Sequence, residues 1–330
     1  MKKVMHTALE VAKLIEQDKV LLLSGHEDIL KKLPKGKWIA GTSSYFMSET
    51  GGMISDKSIE VTEIPGFITD LKIKCYDATT IKDIYKEGYQ NGFSIVIIPA
   101  FSETHLVFAK EVYTFEDFAT KPLAGWISGI NLGDKNASSP KVFSGIDTKF
   151  SDNKAVVAHF QLPANKFADV TIINTFYSDE NGDDLEFLQS GFDTETVLVN
   201  GNQMNFSEYL TNNNVNLDLP LEANYNGTII NISFKENDTN AKKVFFFAPV
   251  FKGIKYKLGK TKGDYVSEVI KLIPKDRKID YTFSCNCILN FLKLDLDGKT
   301  IGNITGPITF GEIAYKLLNQ TLVNLEIRDF

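Results

Sequence analysis

The stretch VLLLSGHEDILKKLPKGKWIAGTSS, Val20–Ser44, decides the fold class. Val20-Leu-Leu-Leu-Ser24 is a continuous apolar run ended by Gly25, the pattern of a buried strand. Glu27–Leu33 reads as a short helix stopped by Pro34. Trp38-Ile-Ala-Gly41 is a second buried strand, running into the small polar segment Thr42-Ser43-Ser44. Strand, helix, strand is the grammar of an α/β unit.

Upstream, Val4, Ala8, Val11, Ala12, Leu14 and Ile15 recur at helical spacing. Downstream, the pattern predicts two strands between Ile59 and Cys75, a helix over Ile81–Asn91 and a buried strand over Phe93–Pro99. Pro122, Gly125, Gly129 and Gly133 make residues 104–145 a loop-rich crossing. Ala155–Leu162, Asp169–Thr175 and Phe187–Phe192 have strand composition. Asn181-Gly-Asp-Asp184 and Asn200-Gly201 are turn signals, the latter within a hairpin. Asn205–Leu210 begins a helix, residues 211–218 form an Asn-rich loop between lobes, and Lys235–Lys243 is a polar turn between strands. The last third predicts a helix over Asp264–Leu272, with Asp264 near its positive end and Pro274 ending it. Strands over Tyr281–Cys285 and Ile301–Gly306 and a helix over Gly311–Asn319 follow.

Leu21–Ser24 is matched by Tyr281–Ser284, and Gly41–Phe46 by Gly306–Phe310. Internal duplication into two quasi-equivalent lobes explains these matches; chance similarity of buried strands is the alternative. The expected fold is α/β, or α+β mixed: two lobes of mixed β-sheets flanked by helices, residues 1–210 and 211–330.

Composition fits a soluble globular chain of 330 residues, 43% apolar and 24% charged. The 24 Phe favour strands and large buried side chains. A net charge of −6 and no basic run leave no footprint for nucleic acid or an anionic membrane. Apolar runs such as Val20–Leu23 and Val244–Val250 fall far short of the roughly 20 residues of a membrane span. Glu10, Lys13 and Glu16 interrupt the N-terminal stretch, so the expected compartment is cytoplasmic. There the sequons at Asn205, Asn226, Asn231 and Asn237 carry no meaning. Cys75, Cys285 and Cys287 are then free thiols, although the C-x-C of Cys285 and Cys287 also has the spacing to meet a soft metal from one strand face.

Three groups of short motifs stand in a familiar order. Val20–Ser24, Gly41-Thr-Ser-Ser44 and Ser58-Ile-Glu-Val61 come first; Phe192, Thr196–Asn202 and Phe206-Ser-Glu-Tyr-Leu210 follow. Phe283-Ser-Cys-Asn286 and Gly306-Pro-Ile-Thr-Phe-Gly-Glu-Ile313 close the series. In this order the chain resembles the FIST superfamily of bacterial sensory proteins, with an N-region, a waist and a C-region. Trp38–Met47 followed by Gly51-Gly52 is similar to a FIST-related bacterial group of unassigned activity. Asn286-Cys287 stands where a typical C-region has Gly-Arg, which puts in doubt any anion-binding role of that Arg. The resemblance implies small-ligand sensing, with amino-acid-like molecules or haem as ligands of relatives. It also implies signalling through a separate protein, since no effector module is attached.

Candidate ligand-binding residues are Gly41, Thr42, Ser43, Ser44, Ser284, Cys285, Asn286 and Glu312. The first four and Ser284–Asn286 end buried strands, where backbone groups are released and ligands of open α/β sheets bind. Glu312 opens the expected last helix, either stabilised by its dipole or free to accept a ligand ammonium. Together they are expected to line one cleft. Cys285 could be a nucleophile only beside a base, and is otherwise a packed thiol. His159 and His105, with apolar neighbours, are either core histidines or haem ligands. Asp179–Asp184 lacks the pattern of a calcium loop. The common nucleotide and hydrolase motifs are absent. The cofactor stays unknown.

Overall fold

The computed structural model describes residues 3–225, 228–273 and 281–330. Asn226 and Pro274 lie outside them. Among the described residues strand dominates, with six short α-helices, in an α+β arrangement of mixed sheets.

The opening stretch folds as read. Leu21–Gly25 and Trp38–Thr42 are fully buried and pair in parallel, with a one-turn helix, Glu27–Leu30, between them. The first helix is Ala8–Glu16. The Thr7 side chain accepts from Glu10 N–H while Glu10 reaches back to Thr7 N–H, a capping box that fixes the helix start. Ile59–Glu63 lies antiparallel beside Leu21–Gly25.

This path occurs three times. In the second section Gly92–Pro99 pairs in parallel with Leu123–Ser128 and antiparallel with Ala155–Gln161. In the third, Phe283–Cys287 pairs in parallel with Gly306–Thr309 and antiparallel with Leu322–Asp329. Each section begins with an edge strand on its own last strand: Met5–His6, Asp70–Tyr76 and Lys166–Ile173. Each also carries a hairpin that leaves it. The hairpin of section one (Tyr45–Ser48, Gly51–Ile54) joins the sheet of section three, that of section two (Val142–Ser144, Lys149–Ser151) the sheet of section one, and that of section three (Glu312–Ala314, Lys316–Leu318) the sheet of section two. The result is three six-stranded mixed sheets closed into a ring by exchanged hairpins. The duplication expected of the terminal thirds is thus one part of a threefold repeat.

The second and third sections match at residue level, while the first has Ala40 at the same place, so the expected matches of Gly41 with Gly306 and Ser24 with Ser284 are each one residue out of register. Gly125 and Gly306 have φ of 154° and 146°, and an added Cβ would stand 1.9 Å from the Val96 carbonyl oxygen and 2.0 Å from that of Ser284. Only glycine admits these close strand approaches.

The third section is interrupted. Between Ile173 and the helix Tyr265–Leu272 the chain builds a separate lobe, residues 174–264, with a seven-stranded and a three-stranded sheet. Phe187, Phe206, Phe234, Phe246 and Tyr256 pack edge-on or tilted in its core. Asn200 and Gly201, φ 49° and 83°, turn the hairpin Thr196–Val199/Asn202–Asn205 as predicted. The boundary placed at residues 211–218 falls inside this lobe: Leu185 and Glu186 pair with Tyr256 and Lys255 across it.

Other expectations are corrected. Residues 104–145 hold a helix, Glu103–Glu111, capped by Ser102, and two strands, because Gly125 serves a close contact rather than a loop. Ile81–Asn91 forms only a 3-10 turn over Ile81–Asp83; Ile81, Ile84 and Tyr85 are buried at helical spacing. Phe187 makes a single bridge, and the strand is Gly191–Thr194. Ile301 bridges only Ile304, and the expected strand starts at Gly306. Gly311–Asn319 is a hairpin turning at Tyr315, φ 62°. Its apolar residues Ile313, Ala314, Leu317 and Leu318 suit a helix face equally well, but all four are buried in strands.

Candidate functional site

Three rows of side chains face one another where the sheets meet. They are Glu60–Ser24–Gly41–Val142 in the first sheet, Val156–Ile97–Trp126–Glu312 in the second and Val323–Cys285–Pro307–Phe46 in the third. Trp126 stacks on Phe283, and a Cβ at Gly41 would lie 2.9 Å from Trp126 Nε1. Two residues beyond Gly41, Trp126 and Pro307 stand three hydroxyls, Ser43, Ser128 and Thr309. Each begins or precedes the link to an exchanged hairpin.

The candidate residues gather around these strand ends. Ser43 Oγ donates to the Ile308 carbonyl at 2.9 Å. Thr309 Oγ1 lies 3.2 Å from the Asn286 carbonyl oxygen and 3.3 Å from Glu312 Oε1. Gly41–Ser44 and Ser284–Asn286 are therefore one strand apart, with Glu312 beside them. They do not share an open cleft. Ser284, Cys285, Asn286 and Glu312 are at most 3% exposed.

Glu312 sits mid-strand, not at a helix start. Burial raises its pKa to about 8 against bonds from Thr321 N–H (3.1 Å) and Thr321 Oγ1 (2.9 Å). The Cys285 thiol donates to the Gly125 carbonyl at 3.4 Å, and burial, then Glu312, pushes its pKa up. It is a buried thiol held in its neutral form. Asn286 Oδ1 accepts from Tyr265 Oη at 3.0 Å and from Asn290 Nδ2 at 2.9 Å. Among the described residues no group of three His, Cys, Asp or Glu is placed to hold a metal ion.

Thr42, Ser43 and Ser44 do reach a small surface depression, with room for about 20 Å³, bordered by His26, Glu27, Gly129–Asn131 and Ala137–Ser139. The threefold repeat explains its position. The links Ser43–Ser44 and Phe310–Gly311 are two residues each, whereas the link from Ser128 to Val142 spans residues 129–141 and overhangs the first sheet. At the second sheet's equivalent junction the Phe310 ring covers Gly129, whose added Cβ would lie 2.2 Å away.

The depression is rich in charge-assisted bonds. Glu27 accepts from Lys141 Nζ at 2.8 Å, and also from Lys31 and Ser138. Burial opposes ionisation, but these three donors together outweigh it and hold the carboxyl at about 2. Asp56 accepts from Ser44 Oγ and, at 3.0 Å, from Asn131 Nδ2. A shallower groove continues from His26 over Ala8, Ile29, Lys32 and Lys57.

A model of a family of unknown function, DUF6976, matches residues 6–328. The chain belongs to that family. The family match takes in all three sections and the inserted lobe of this chain. No curated protein matches the chain at a significant level.

Sequence reasoning missed two features. Glu60, 2% exposed and raised by burial to about 8, accepts from Thr62 Oγ1 at 3.1 Å. Its neighbours Ile59 and Val61 point to the opposite face, so alternation alone assigns Glu60 to solvent. The second is a buried relay: Tyr76 Oη donates to Glu87 at 2.5 Å and lies 2.9 Å from His159 Nε2, while Ser94 Oγ lies 2.7 Å from His159 Nδ1. Both nitrogens of His159 are engaged, which leaves none to ligate a haem iron. His105 Nδ1 accepts from Phe101 N–H at 3.2 Å, and its ring packs edge-on to Phe192. No helix of the described residues is long and apolar enough to cross a membrane.

Proposed function

We propose that the chain is a ligand-binding sensory module whose site is the depression over Thr42–Ser44. The supporting observation is the link 129–141, which opens one strand-end junction of three, where hydroxyls and the Glu27 carboxylate line the depression. Parallel strand ends are where open α/β sheets bind ligands. A small polar molecule carrying both ammonium and hydrogen-bond acceptors, amino-acid-like in chemistry, suits that lining, and the 129–141 link must draw back to admit it, since the depression itself has room for about 20 Å³. The FIST-like motif order supports the same reading, with the signal passed to a separate protein in the cytoplasm. The buried state of Cys285 gives no support to the alternative of thiol catalysis.

Thermal-shift screening against amino acids and polyamines, with haem as a separate arm, tests this. A ligand at 100 times its Kd adds about 2.7 kcal/mol of stability. Ala137→Trp, on the overhanging link, is expected to abolish the shift by filling the depression while leaving the unliganded melting temperature unchanged. A shift that survives Ala137→Trp would place the site elsewhere.

A further inference from the structure

Three polar side-chain atoms that converge beneath Thr42–Ser44 have no hydrogen-bond partner: Ser24 Oγ, Trp126 Nε1 and Ser128 Oγ. The residues are 0%, 1% and 0% exposed. Their placement is fixed by pairing. Ser24 stands between Glu60 and Gly41 on the inner face of the first sheet. Over Gly41 lie Trp126 and Ser128 of the second sheet, with Trp126 Nε1 2.9 Å and Ser128 Cβ 3.1 Å from where a Cβ would be. Phe283 of the third sheet stacks on Trp126, ring centroids 5.4 Å apart. Buried polar groups are almost always bonded, and several unbonded ones in one place point to a common partner.

We propose that Ser24, Trp126, Ser128 and Glu60 form an internal site for ordered water at the meeting point of the three sheets. The chemistry of the walls selects the occupant. An indole N–H can only donate, so the occupant must accept; the serine hydroxyls can do either. An anion would lie buried with no cationic side chain among Glu60, Ser24, Gly41, Trp126 and Ser128 to balance it, and a cation would face the indole N–H. A small neutral molecule that both donates and accepts satisfies every group, and buried water typically makes about three such bonds. The site lies just under the surface depression: Ser128 precedes Gly129, whose N–H donates to the Thr42 carbonyl at 2.8 Å, and Thr42 and Gly129 both line that depression.

The sign of two conservative substitutions tests the proposal. With water bound, Ser24→Ala and Ser128→Ala each remove a bonded hydroxyl, and the unfolding equilibrium constant in urea is expected to rise about fivefold. In a dry site each would remove an unbonded buried hydroxyl, so an unchanged or lowered constant overturns the proposal. Oxygen-17 relaxation dispersion on the unmodified chain supplies a reading independent of any variant's folding. Long-lived internal water is expected there and reduced in Ser24→Ala; a count that Ser24→Ala leaves unchanged, or an atomic-resolution crystal structure with no water bonded to Ser24 Oγ, overturns it.

Discussion

Ser43 Oγ donates at 2.9 Å to the carbonyl of Ile308, 265 positions later in the chain. This bond ties the strand end of the first section to the strand that receives its hairpin. The same hydroxyl lies 3.1 Å from Tyr45 N–H, which donates to it. Ser43→Ala removes both and is expected to cost about 1 to 2 kcal/mol, read as a lower urea midpoint at unchanged slope. A changed slope would show that the ring of sections had opened rather than weakened.

Stability should fall as the solution turns alkaline. Burial raises Glu60 and Glu312 to about 8, so between about 4.5 and 8 the folded chain holds two protons that the unfolded chain lacks. By linkage that stability is lost as pH rises. His105 and His159 are lowered by burial to about 4, and their contribution is lost in the opposite direction, as pH falls from 6.5. The two pairs offset each other up to about pH 6.5. Above it the carboxyls act alone, with a slope of up to about 2.7 kcal/mol per pH unit until about pH 8. Glu60→Gln is expected to halve that slope in urea titrations across this window; an unaltered slope would remove Glu60 from the account.

Gly125→Ala places a Cβ 1.9 Å from the Val96 carbonyl oxygen at a φ of 154°. Roughly 3 to 5 kcal/mol of destabilisation is expected, enough to leave much of the variant unfolded. Gly66→Ala is the control, since nothing lies within 4 Å of its added Cβ. Comparable losses in both would mean that the strand approach is not what demands glycine.

Cys75 is exposed on an edge strand, and Cys285 and Cys287 are 1% exposed. Ellman's reagent should therefore find one thiol in the native chain and three after unfolding. The single reaction should be slow, because partial burial and then Asp147 raise the Cys75 pKa. Fast labelling at Cys285 would revive the catalytic reading.

Locally coded features were legible in the sequence. Val20–Ser24, Trp38–Gly41, the Asn200-Gly201 turn and the Asp264 cap each depend on a few adjacent residues, and each folds as read. Glu312 was placed at a helix end because a hairpin and a helix can share the same apolar spacing. The last strand, Leu322–Asp329, went unread, although it lies inside the third sheet, between Lys166–Ile173 and Phe283–Cys287. For the site, Thr42–Ser44 were found from their composition at a strand end. Asn131, Ala137 and Ser138 were not, because the link that carries them meets the first sheet only through the exchange of a hairpin, and no local pattern announces that. Glu60 and Ser24 gain their setting from sheets stacked face to face, which alternation along one strand cannot show.

The exchanged hairpins also set the order in which the protein can be made. Tyr45–Ser48 pairs with Gly306–Thr309, so a chain emerging from the ribosome presents an orphaned N-terminal ribbon until some 260 further residues exist. At typical elongation rates that wait lasts roughly 13 to 50 s. Through that interval the ribbon's free edge is open to any neighbouring strand, and a copy of itself on the next ribosome of the same message is the nearest. Shielding of the hairpin Tyr45–Ile54 during synthesis is then a requirement separate from the strength of the finished core.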